Sequence, residues 1–115
     1  RVVKLKGCIM KELAAMTDTN LTHLITEGKH VLFFTATWCS DCRFIKPAMP
    51  EIEAEFPEYD FIEIDRDQFI DICEEWEIFG IPSFVVIDNG KEIGRFVNKD
   101  RKTKREITGF IHSLN

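Results

Sequence analysis

Val31-Leu32-Phe33-Phe34-Thr35-Ala36-Thr37-Trp38-Cys39-Ser40-Asp41-Cys42 decides how the chain is to be read. Val31 to Ala36 is apolar, β-branched and aromatic, the composition of a buried strand, and the residues from Arg43 onward read as a helix. Two thiols separated by two residues therefore sit where a strand becomes a helix. Such a pair can pass electrons without a metal or cofactor. The first turn of a helix leaves backbone N–H groups unpaired and carries the positive end of the helix dipole, and both favour a thiolate. Cys39 is accordingly expected to be the more acidic, attacking thiol. Cys42 lies three residues further along the same helix face, less exposed, where it can attack a mixed disulfide formed at Cys39.

The competing reading makes the two cysteines half of a zinc site, which needs two further ligands at matching spacing. Cys8, Cys73, His23, His30 and His112 are scattered and form no second pair. Redox use is the better reading, with no metal, and Trp38 beside the motif is expected to belong to a packed redox site.

The chain has 115 residues, 44% of them hydrophobic and ten of them phenylalanine, enough to bury one core but not two. Its formal charge of −5 argues against general nucleic-acid binding, and no apolar run approaches a membrane span. Four cysteines do not make a secreted disulfide scaffold, and no signal-peptide pattern opens the sequence. A soluble protein in a reducing cytoplasm is expected. Residues 1–9 differ from the rest, with Arg1, Lys4, Lys6 and Cys8 and no initiating methionine. They are expected to be a non-native or disordered extension, with Met10 the natural start and residues 10–115 the domain. The alternative for Val2 to Leu5 is an extra edge strand.

Beyond Met10, strands and helices alternate. Glu12 to Met16 is a weak strand, and Thr17-Asp18-Thr19-Asn20 offers N-caps for a helix that carries Leu21, Leu24 and Ile25 and ends at Gly28. The cysteine-bearing helix is expected to run to about Phe56, kinked by Pro47. Asp60 to Asp65 alternates as a strand, Asp67 to Glu77 reads as a helix and Ser83 to Asp88 as a strand. Asn89-Gly90 makes a hairpin turn to a partner strand at Glu92 to Val97, and Thr103 to Leu114 is helical.

This β-α-β-α-β-α-β-β-α order around a central CxxC resembles the thioredoxin family over roughly residues 12–115. Trp38, Cys39 and Cys42 resemble its active site, Pro47 its helix-kinking proline, and Asp65 the acidic end of the following strand. Ile81-Pro82-Ser83 is similar to its cis-proline loop. The dipeptide alone would favour trans, because only about 5–6% of X-Pro bonds in folded proteins are cis. The resemblance implies an α/β thioredoxin fold, a central mixed sheet flanked by helices. It also implies that Ile81 and Pro82 hold an extended substrate beside Cys39. The Trp-Cys-x-Asp-Cys pattern resembles small bacterial-type thioredoxin-like proteins, some with narrower substrate choice than general thioredoxin.

Two departures matter. Most thioredoxins have a buried aspartate six residues before the first cysteine and a lysine four residues before the strand-end aspartate; here these positions hold Phe33 and Phe61. Exchanging a buried ion pair for packed apolar groups is often neutral, whereas losing one partner is costly, so the core is expected to be sound. The usual base is absent. Asp41 and Glu63 are the candidate replacements, with Asp41 preferred for its proximity. Asp41 also stands where the family has proline. A charge ~7 Å from the thiolate opposes its ionisation by roughly 0.6 kcal/mol in water and about 2.4 kcal/mol at an effective dielectric of 20. A less stabilised thiolate favours electron donation, hence a reductase over an oxidant.

Trp76, Ile78 and Phe79 form either an apolar docking rim or core, Cys73 is expected to be a buried small residue, and Lys99 to Arg105 a solvated basic loop. The expected function is a thiol-disulfide oxidoreductase, an enzyme that reduces protein disulfides and takes its electrons from a flavin-dependent thioredoxin reductase. The alternatives are a non-catalytic interaction module of the same fold, or a disulfide oxidase or isomerase.

Overall fold

The computed structural model describes residues 11, 12 and 18–114. The expectations for residues 1–10, for residues 13–16 of the first strand and for the Thr17 cap lie outside the described residues.

Within them, β1 (Lys11–Glu12), β2 (Lys29–Thr35), β3 (Tyr59–Asp65), β4 (Ser83–Asp88) and β5 (Lys91–Phe96) form one sheet in the order β1-β3-β2-β4-β5. The most apolar strand takes the centre. β2 pairs parallel to β3 and antiparallel to β4, and Val31 to Phe34 are fully buried. A strand covered on both faces reads as a continuous hydrophobic run rather than an alternation. This is the mixed, helix-flanked sheet of the thioredoxin fold.

α1 (Asp18–Ile25) stops three residues before Gly28, whose φ of +85° makes the turn into β2. Asn89 braces that turn: its Oδ1 accepts from the Gly28 N–H at 2.7 Å and its own N–H donates to the Gly28 carbonyl at 2.9 Å. Asn89 and Gly90, with φ of +49° and +82°, make the tight connection between β4 and β5 that the dipeptide promises.

The long helix expected from Arg43 to Phe56 is broken where Pro47 withholds its N–H. α2 (Ser40–Ile45) gives way to a 3₁₀ turn at Lys46–Ala48 before α3 (Met49–Glu55) resumes. The helix expected over Asp67 to Glu77 is shorter, and α4 spans Ile70–Glu75. Its lead-in turns instead, because the Asp65 carboxylate accepts the Asp67 N–H at 2.8 Å. α5 (Lys104–His112) starts at a capping box, with Thr103 Oγ1 accepting the Glu106 N–H at 3.2 Å and Glu106 Oε1 accepting the Thr103 N–H at 2.9 Å.

Two apolar layers result. One joins Leu32, Phe34, Ile62 and Ile64 with α1, α4 and both active-site cysteines. The other holds Phe33, Phe56, Tyr59, Phe61 and Phe84 under α2, α3 and α5. Phe33 and Phe84, register partners across β2 and β4, stack with centroids 5.0 Å apart. Such a pair contributes roughly 0.5–1.5 kcal/mol beyond its area burial.

Candidate active site

Cys39 is the N-cap of α2, not its first residue, with extended backbone (φ −81°, ψ 114°). Its sulfur takes the place of a capping oxygen and accepts the Cys42 N–H at 3.2 Å. An N–H aimed at a sulfur favours negative charge there. Cys39 is 7% exposed and Cys42 1%, so an incoming sulfur meets Cys39 first. The two thiols lie close enough to act on each other.

Burial pushes the Cys42 thiol up to about 11, helped by the hydrogen bond with Cys39 and opposed by contacts with the Thr35 side chain and the Ala36 backbone. Thr35 ends β2, is 5% exposed and passes unnoticed within an apolar run. Neither candidate base appears among the hydrogen-bond partners of Cys42. Asp41 Oδ1 accepts from Arg101 Nε at 2.8 Å, and Glu63 faces Lys46 Nζ at 2.9 Å. The expectation treated the charge of Asp41 as uncompensated, whereas the Arg101 guanidinium pairs with it.

Trp38 borders the thiols but is 58% exposed instead of packed. Its Nε1 donates to Asp67 Oδ2 at 2.7 Å, and the Arg66 guanidinium stands 5.9 Å from its ring centroid. The Ile81–Pro82 bond is cis, and the Ile81 carbonyl lies 4.0 Å from the Cys39 sulfur. A cleft of about 400 Å³ opens here, lined by Trp38, Cys39, Arg66, Phe79, Ile81 and Lys99 among others. The rim question divides: Phe79 is 82% exposed in the cleft, Ile78 is buried, and Trp76 packs against the core.

The basic stretch Lys99 to Arg105 is not a wholly solvated loop. Lys102 is 1% exposed, its ammonium donating to Asn98 Oδ1 and the Asp100 carbonyl, both at 2.8 Å. Burial pushes its pKa down, while Asp100, Cys42, Glu106 and Asp41 pull it up. Cys73 is buried in α4 as expected, its thiol also raised to about 11 by burial. Among the described residues no group of three or more His, Cys, Asp or Glu side chains could hold a metal, and no helix is long and apolar enough to cross a membrane.

The family model for Thioredoxin matches residues 12–113. The chain belongs to the thioredoxin family. Thioredoxin H2-2 of Oryza sativa subsp. japonica is 38% identical over 84 residues, 72% of this chain and 63% of that protein. An H-type thioredoxin of Picea mariana is 41% identical over 64 residues, 56% of this chain and 51% of that protein. The chain thus spans between half and two thirds of the length of these curated relatives. The solved thioredoxin of Fasciola hepatica superposes with a TM-score of 0.78 at 31% identity, covering 92% of this chain and all of that one. That of Trypanosoma brucei brucei, at 20% identity and a TM-score of 0.84 over 99% and 97% of the two chains, shares the fold. These thioredoxins are eukaryotic, so the bacterial-type resemblance rests on the Trp-Cys-x-Asp-Cys motif alone.

Proposed function

We propose that this protein reduces protein disulfides through Cys39 and Cys42. One observation carries the reading: Cys39 caps α2 at the floor of an open cleft, with the Cys42 N–H on its sulfur and the Cys42 thiol buried behind it. The Cys39 thiolate attacks one sulfur of the substrate disulfide, and the other leaves as a thiolate and takes a proton from water. Cys42 then attacks Cys39 as its proton passes to the departing second substrate sulfur, forming the Cys39–Cys42 disulfide. Two electrons pass to the substrate, with one proton from Cys42 and one from water that replaces the proton Cys39 lost on ionising.

The roles follow from position. Ile81 and Pro82 hold the substrate chain next to the nucleophile, Trp38 walls the cleft, and Asp41 fixes the active-site turn through Arg101. The raised Cys42 thiol supports reduction over oxidation, because a dithiol whose second sulfur resists ionisation is a better donor. A thioredoxin reductase, flavin-dependent in this proposal, returns the electrons, and a reducing cytoplasm suits a dithiol that must stay reduced.

Reduction of insulin disulfides by the reduced protein tests the activity, and Cys42→Ser tests the sequence of steps by accumulating a covalent intermediate at Cys39. If insulin is not reduced while Cys39→Ser still captures partners non-covalently, the fold serves binding only. A redox potential near that of a strong oxidant would exclude the reductase direction.

A further inference from the structure

The cleft before Cys39 is cationic on a chain whose formal charge is −5. Arg66, just after β3, and Lys99, after β5, both line it. The one carboxylate in the lining, Asp41, is held by Arg101 at 2.8 Å. Asp67, whose other oxygen accepts from the Trp38 indole, lies 3.8 Å from Arg66 and offsets part of its charge, so Lys99 is the cation left unopposed. Lys99 is exposed, and among the described residues no carboxylate lies within ion-pair distance of it. Phe79, 82% exposed, supplies an apolar wall in the same cleft.

We propose that this cleft selects disulfides carried on extended acidic segments, a carboxylate flanking the reactive cysteine meeting Arg66 or Lys99 and an apolar neighbour meeting Phe79. The proposal rests on the reductase reading above and names its substrate class. It adds no covalent step to the exchange already described. One carboxylate ~6 Å from one cation gains about threefold in water-like surroundings, and a lysine at the same place loses as much, so the two differ by about tenfold per cation. The same charges steer the encounter, raising the association rate more than they slow dissociation.

The test uses three disulfide peptides, identical except for Glu, Gln or Lys at one position beside the cysteine. The readout is the second-order rate at which each oxidises the pre-reduced full chain. The expected order is Glu, Gln, Lys, with about tenfold between the ends at about 0.01 M salt, shrinking toward parity at about 1 M, where the screening length is only ~3 Å. The double substitution Arg66→Glu, Lys99→Glu reverses the order. Equal rates for the three peptides overturn the acidic preference and leave the reductase standing. An order that survives high salt, or that the double variant fails to reverse, also overturns it. Oxidation by none of the peptides overturns the reductase reading itself. The salt series needs no variant, so a double variant that fails to fold still leaves a decision.

Discussion

Phe33, Phe84, Phe61, Phe56 and Tyr59 pack into a dry layer on one side of the sheet, where the Phe33–Phe84 stack sits at 5.0 Å. At the mouth of the molecule, residues 98–102 are held instead by polar contacts: Asp41 to Arg101, Lys102 to Asn98 and Asp100, and Ser83 Oγ to the Asn98 carbonyl at 3.3 Å. Both regions border α2, which carries Cys42 and is capped by Cys39. The aromatic layer contributes packing, which depends on shape and burial, whereas the polar region contributes charge and geometry near the sulfurs. Stability and reactivity are therefore separable by substitution in this protein, and the separation can be attacked at several strengths.

The largest effect lies outside both regions. Cys39→Ser is expected to reduce disulfide exchange to the buffer background with an unchanged urea midpoint, since a hydroxyl replaces a thiol at a cap. Next, Phe33→Asp places an unpartnered carboxylate in the dry layer and is expected to destabilise the fold by about 3–5 kcal/mol. Phe61 is its diagonal neighbour across β2 and β3, so Phe33→Asp with Phe61→Lys should recover much of that loss. Urea denaturation of the pair measures the coupling, and a double variant no better than the single would remove the dry-layer account of the missing ion pair.

A third effect separates burial from local charge. Cys42 and Cys73 are both raised to about 11 in the folded protein from an ordinary value of 9.0. The unfolded chain therefore loses these protons first as pH rises. The stabilisation is fully present below about pH 9 and fades between about pH 9 and 11, by about 3 kcal/mol per thiol. Tyr59, also raised, acts in the same sense, and Lys102, lowered, in the opposite one. Comparing reduced wild type with Cys73→Ala cancels both, and the variant should lose about 3 kcal/mol less over that window.

Thr35→Val keeps the branched shape but removes the hydroxyl from Cys42, and resolution of the mixed disulfide should slow by about three- to tenfold, the equivalent of about 1 kcal/mol. Stopped-flow release of the second thiol reads that step directly. The smallest effect is expected from Arg101→Ala, whose ion pair is half exposed and contributes about 0.2–1 kcal/mol. A stability change well above that range would make the polar region part of the core and end the distinction.

The sequence makes the local features visible. The buried strand, the CxxC at its end, the break at Pro47 and the Asn89-Gly90 turn each depend on a few adjacent residues, and each is found where expected. What escaped depends on the chain returning to the same place. Arg101 meets Asp41 across 60 positions, and Trp38 meets Asp67 across 29. Thr35 looks like any β-branched residue in an apolar run until the fold sets it beside Cys42. Lys102 misleads because a basic run usually faces water, while here the Asn98 side chain and the Asp100 carbonyl accept from its ammonium.

Gly80 precedes the Ile81–Pro82 pair, and a Cβ on it would stand 2.5 Å from the backbone of Asn98 and Lys99. The two loops share a seam with no room for a side chain, so the path of one dictates the path of the other. The exposed side chain of Lys99, which lines the cleft, is under no such restriction. A designer can therefore exchange Lys99 on an unchanged chassis, provided position 80 is left bare.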